Sequence, residues 1–135
     1  FRYDSSFFPA RSMLYGYPGA PRFPCRVGDK GELVEFPVST ARWLGVTWPM
    51  GGGFYERALP YGVIRAGIRQ LNRQGQPAIL YVHPWELDTE QDFRKVTLRE
   101  RVSHYYGRQG LEKKLGRLFR EFAFSPLREM VDGVV

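Results

Sequence analysis

The chain predicts an α/β fold, and three stretches carry that prediction. Leu33-Val34-Glu35-Phe36-Pro37-Val38-Ser39 and Ala78-Ile79-Leu80-Tyr81-Val82 are short apolar runs rich in β-branched and aromatic residues, the pattern of buried strands. Between them, the stretch from Pro60 to about Gln74 sets Ile64, Ile68 and Leu71 on one face at helical spacing. A helix running directly into a buried strand is the order of an α/β crossover.

Each element has a local reason. Phe1-Arg2-Tyr3 reads as a strand end, and Asp4-Ser5-Ser6 supplies side chains that close turns on their own backbone. Asp4 is then either a turn cap or a buried carboxylate aimed at another catalytic group. Residues 9–31 carry Pro9, Pro18, Pro21, Pro24, Gly16, Gly19, Gly28 and Gly31, which break every period. They predict a long ordered loop, since Tyr15, Tyr17 and Phe23 argue against disorder. Loops longer than about 15 residues in a compact domain are usually functional. Pro37 places the strand at 33–39 at an edge or ends its pairing early. Gly51-Gly52-Gly53 permits positive φ and close backbone approach, as a flexible connection or as a ligand cradle. It lacks the lysine and spacing of a phosphate loop.

The central helix starts at Pro60 and stops at Gly75. Arg65, Arg69 and Arg73 form a second stripe on it, predicted as a solvated face. The strand at 78–82 must end at His83, because Pro84 disfavours helical geometry before it and cannot donate to a ladder. That imidazole is either a satisfied histidine beside Trp85 or a catalytic group at the carboxyl rim of a strand, where barrel chemistry collects. Thr89 is the predicted cap of a weaker helical stretch to about Tyr106, ended by Gly107. A last helix over 110–123 sets Leu111, Leu115, Leu118, Phe119 and Phe122 on one face, with Lys113, Lys114, Arg117, Arg120 and Glu121 outside.

At 135 residues the chain is one domain's worth. It begins at Phe1 with no Met, signal peptide or membrane segment, and so reads as a piece of something longer. A single cysteine, Cys25, excludes an internal disulfide and a multi-cysteine zinc site. The net charge of +6 comes from 20 Lys/Arg against 14 Asp/Glu, spread over both halves without a basic block. No nucleic-acid-binding signature accompanies it, so no nucleic-acid partner is predicted.

An ordered series of motifs resembles one family. Tyr3-Asp4-Ser5-Ser6-Phe7-Phe8-Pro9, Leu14-Tyr15-Gly16, Ala20-Pro21-Arg22-Phe23-Pro24, Glu35-Phe36-Pro37-Val38-Ser39, Gly51-Gly52-Gly53, Arg57-Ala58-Leu59-Pro60-Tyr61, His83-Pro84-Trp85-Glu86 and Phe124-Ser125-Pro126-Leu127-Arg128-Glu129 follow one another from Phe1 to about Val131. In this order the chain resembles the carboxyl-terminal half of the polysaccharide deacetylases of bacterial exopolysaccharide and exosortase clusters. These belong to carbohydrate esterase family four, with nodulation-type chitooligosaccharide deacetylase homology.

The resemblance implies that residues 1–135 are a single partial domain, the carboxyl-terminal part of a distorted (β/α)7-type barrel with long loops and a terminal amphipathic helix. It implies hydrolysis of N-acetyl or O-acetyl groups on a polysaccharide substrate. A divalent metal, commonly zinc, would be held by ligands upstream of residue 1 in the missing amino-terminal half, and none by this chain alone. The family's His-x-x-x-His motif has no counterpart in this sequence. Val82-His83 matches the family's last motif, whose His is the general acid, and Asp4 matches the Asp that charges and holds that His. The departing amine must be protonated, which a His can do near neutral pH, and an adjacent carboxylate favours the imidazolium. Arg57, Gly52, Gly53 and Trp85 are the expected substrate-binding residues, with Asp4 and His83 meeting at one rim. The isolated chain is expected to be inactive. The alternative is a non-catalytic carbohydrate-binding remnant of the same fold.

Overall fold

The computed structural model describes residues 1–11, 15–90 and 96–134. Val34, almost wholly buried, sits in β3 (Leu33–Glu35), the middle strand of a three-stranded sheet. β1 (Tyr3–Asp4) runs parallel to it, with Tyr3 opposite Val34 and Asp4 opposite Glu35. β2 (Cys25–Val27) runs antiparallel on the other side. The predicted loop at 9–31 therefore contains a strand, turned back onto β3 through Gly28 and Gly31 at φ 91° and 63°. Leu14 of the resemblance, with Ser12 and Met13, lies outside the described residues.

Pairing of β3 stops two residues before Pro37, as a missing donor requires. A hairpin that the sequence reading did not anticipate follows, β4 (Thr40–Trp43) against β5 (Val46–Pro49). Leu44 and Gly45 between them both have positive φ, 52° and 78°, as a type I′ turn demands. The Gln70 side chain covers the outer edge of β4, accepting from the Arg42 N–H at 2.9 Å and donating to its carbonyl at 2.8 Å.

Helix α1 spans Gly53–Ala58, and α2 spans Tyr61–Arg73. The predicted bounds of α2 hold: Pro60 is its N-cap, and Gly75 takes φ 69° just past its end. Ile64, Ile68 and Leu71 pack with Ala41, Met50 and Leu118 in the largest core cluster. Leu118 and Leu111 come from α4 (Arg108–Glu121), the predicted terminal helix. Phe119, expected on that inner face, is instead exposed and meets Phe124 edge-to-face at 4.9 Å. The arginine stripe of α2 is not simply solvated: Arg65, Arg69 and Tyr61 all bond the Glu121 carboxylate at the end of α4.

The weaker helix is α3 (Leu98–Tyr105), and its cap is Thr97 rather than Thr89. The Glu100 N–H donates to Thr97 Oγ1 while the Glu100 carboxylate accepts the Thr97 N–H at 2.7 Å, a reciprocal capping box. Residues 91–95 of the predicted stretch lie outside the described residues.

The segment at 78–82 is a correction. It is extended, but it joins no sheet: the Ser39 N–H donates to the Ile79 carbonyl at 3.0 Å, and the Ile79 N–H donates to Ser39 Oγ at 2.6 Å. Its apolar alternation serves packing instead. Ala78 and Leu80 lie against the α2 core, Ile79 joins Val34, Phe36 and Val131, and Tyr81 joins Phe8, Ala10 and Val38. The described residues form two small sheets, β1-β3-β2 and β4-β5, and no closed barrel. No helix among them is long and apolar enough to cross a membrane.

Candidate functional site

Pro84 does more than stop the extended segment. It opens a 3-10 turn, Pro84–Glu86, which carries Glu86 back under His83. Residues three apart eclipse one another in such a turn. The Glu86 carboxylate therefore accepts the His83 backbone N–H at 2.9 Å and faces the ring Nδ1 at 3.3 Å. Glu86 is 1% exposed, whereas the His83 side chain is 51% exposed. A buried anion thus orients a half-exposed imidazole. With a carboxylate at Nδ1 the proton belongs there, so the neutral ring offers Nε2 as an acceptor and the imidazolium offers Nε2–H as a donor.

The other Glu86 oxygen accepts from Arg57 Nε at 2.6 Å, an ion pair with both side chains buried. The remaining Arg57 nitrogens donate to the carbonyls of Ser103, His104 and Tyr106 at the carboxyl end of α3. That end carries the negative pole of the helix, so a cation is favourable there. Arg57 is therefore committed inside the fold. This arrangement lends no support to the expected role toward substrate oxygens: four of the five N–H directions of the guanidinium are taken up by Glu86 and the end of α3.

The glycine triplet does lie against this corner, but it leaves no vacant cradle. A side chain at Gly52, which has φ 95°, would meet the Tyr81 ring at 2.7 Å; one at Gly53 would meet a Glu86 oxygen at 2.2 Å. The close approach that glycine permits is used to seat α1 on the 81–86 segment. Trp85 stacks on His83, with ring centroids 5.9 Å apart and planes at 27°. Trp85 also meets His104 at 5.1 Å and the guanidinium groups of Arg57 and Arg108. The two histidines, His83 at the head of the 3-10 turn and His104 in α3, flank one indole.

Asp4 is the second correction. Its carboxylate accepts from the Ser5 N–H at 2.8 Å and from Ser6 Oγ at 2.6 Å, at an exposed strand end. Those bonds, that of Ser6 first, hold it below the ordinary carboxylate range. It is a turn cap, and the carboxylate that meets His83 is Glu86. The local signal for Glu86 was present: Pro one residue and Glu three residues after His83 are the marks of a capped turn.

Four further residues complete the corner. Tyr81 meets the His83 ring edge-on at 5.2 Å, and its hydroxyl lies 2.5 Å from that of Tyr15, which folds in from the long loop. Glu56 lies behind Gly52, 1% exposed, and burial pushes its carboxyl up to about 8. The Gly52 N–H at 3.4 Å, the Tyr81 backbone amide and Lys114 only partly oppose that shift, and Glu86 reinforces it. Among the described residues, Glu56 Oε2 has no hydrogen-bond partner. Lys114 caps α1 from below, donating to the carbonyls of Glu56, Arg57 and Leu59.

Among the described residues no group of three or more His, Cys, Asp or Glu side chains could hold a metal ion. The metal that the resemblance implies has no ligand set on them. What the corner offers is a proton donor or acceptor with aromatic walls. Neither the curated proteins nor the solved structures gave a match. Over residues 5–132 the chain matches the family model described as Domain of unknown function (DUF3473), and it belongs to that family.

Proposed function

We propose that this chain is the carboxyl-terminal part of a polysaccharide deacetylase and supplies its general acid, His83. The observation that carries the reading is the half-exposed imidazole held through Nδ1 by the buried Glu86, itself locked by Arg57. The ordered motifs shared with those enzymes support it, as does membership of a family associated with polysaccharide deacetylase carboxyl termini. In the hydrolysis, water adds to the acyl carbon and the C–N bond breaks. The proton on His83 Nε2 passes to the leaving nitrogen, while Glu86 holds the ring at Nδ1. Trp85 and Tyr81 fix the plane of the ring and limit water beside it. Glu86 is the positioning residue in place of the expected Asp4.

The test is acetate release from an acetylated polysaccharide by the chain combined with the amino-terminal half that this reading requires. His83→Ala should lower kcat by about 10²- to 10⁴-fold, the usual worth of a general acid. KM should change little, because the proton is needed only as the amine leaves. Glu86→Gln should shift the alkaline limb of the pH profile, where a general acid loses its proton, and Asp4→Asn should leave that limb in place. Full turnover by His83→Ala would overturn the role. Polysaccharide binding without acetate release by the unmodified protein would favour the carbohydrate-binding remnant.

A further inference from the structure

The β4–β5 hairpin carries a feature that the His83 corner does not use. Residues directly opposite in an antiparallel pair share a face, so Ala41 and Trp48 lie on one side with Trp43 and Val46. Ala41 is buried and Trp43 packs against the α2 core, but Val46 and Trp48 continue that face outward, each about half exposed. Leu44, at the tip, is fully exposed. It also holds φ 52°, a backbone region that favours Gly, Asn or Asp and penalises a bulky residue. The type I′ turn requires that φ, but no packing among the described residues offsets the cost of a leucine there. The opposite face is cationic: Arg42 is exposed, and Arg22, bonded to Thr40 Oγ1 and the Thr40 carbonyl, lies beside it. The whole chain carries +6.

We infer that this hairpin docks the protein on an anionic lipid surface, with Leu44 and Val46 entering the acyl boundary, Trp48 at headgroup depth, and Arg42 and Arg22 facing the phosphates. Aliphatic groups at the leading edge suit lipid rather than a sugar ring, which stacks on flat aromatic faces. Trp belongs at the membrane–water interface, and each arginine near an anionic leaflet adds attraction that salt weakens. Pro49 at the end of β5 blunts strand pairing with a second copy. The inference is independent of the deacetylase reading.

The test is co-sedimentation of the full chain with vesicles of phosphatidylcholine alone or with phosphatidylserine, together with tryptophan emission. Expected is partition onto the anionic vesicles, weakened by salt, with a blue shift that Trp48→Phe removes. Leu44→Asn separates docking from folding, because Asn tolerates the positive φ. It should raise the thermal midpoint while lowering vesicle partition by about tenfold or more. Unchanged partition in Leu44→Asn, or none in the unmodified chain, would overturn the inference. So would a dimer that Leu44→Asn dissolves without any vesicle binding, or a Trp48-dependent shift produced by polysaccharide but not by vesicles.

Discussion

Glu86 and Glu56 lie within one corner but have different hydrogen-bond partners. Glu86 is compensated on both oxygens, by Arg57 and by the His83 amide. Glu56 is buried with an unpartnered oxygen and keeps its proton to about pH 8. Removing the Glu86 charge as Glu86→Ala would leave the Arg57 cation buried without its counterion. Breaking such a pair costs about 3–5 kcal/mol, measurable by urea unfolding. Arg57→Lys should also destabilise, because a single ammonium cannot span Glu86 and the end of α3 together. For Glu56 the folded pKa stands above the unfolded one, so its favourable contribution is complete below about pH 4.5. Between there and about pH 8 the unfolded chain is ionised while the folded one is not. Stability then falls by about 1.4 kcal/mol per pH unit from this group alone. Glu56→Gln should flatten that decline, matching the unmodified chain near pH 4.5 and exceeding it at pH 8. Thermal midpoints across that range check it.

At the scale of elements, two cations do the same job for two helices. Arg57 donates to the last carbonyls of α3, and Lys114 donates to those of α1. Lys114→Met keeps the apolar stem but leaves those α1 carbonyls without a donor, and should cost about 1–3 kcal/mol. Amide exchange in Tyr55–Leu59 should quicken while α2 stays protected. Helices α2 and α4 were legible because their apolar faces repeat at the helical period and Pro60, Gly75 and Gly107 punctuate them. The hairpin was not, because Leu44-Gly45 lacks the Asn or Asp that marks a type I′ turn. α1 was hidden by starting inside a glycine triplet. Phe119 was misplaced because spacing gives the face of a helix but not how far the neighbouring core extends over it. At the site, His83 and Trp85 were legible as a unit. Arg57 and Asp4 were read through a pattern of residue types, and only the packing shows where their hydrogen bonds go.

Across the molecule, Ile79–Tyr81 joins what would otherwise be three separate apolar clusters. Extended geometry sends alternate side chains to opposite sides: Leu80 goes to the α2 core, Ile79 to the Val34 cluster and Tyr81 to the Phe8 cluster. Without a ladder, that hub depends on Ser39, itself 3% exposed. Ser39 N–H and Oγ hold both backbone groups of Ile79, and its carbonyl receives the N–H groups of Met50 and Gly51 at the head of the glycine triplet. One serine therefore ties the 79–86 segment to the loop that seats α1. Ser39→Ala leaves the buried Ile79 N–H unsatisfied, which costs about 1–3 kcal/mol, with little change in volume. The distinguishing result lies in where the loss appears. Amide exchange should quicken at Ile79 and at Met50 and Gly51, and the His83 ring resonances should broaden as Tyr81 and Glu86 lose their fixed positions. The interior of α2, packed on Ala41 and Leu118, should keep its protection. Equal loss of protection in α2 and in the 79–86 segment would instead mean that the three clusters unfold as one, and that Ser39 is an ordinary buried hydrogen bond rather than their join.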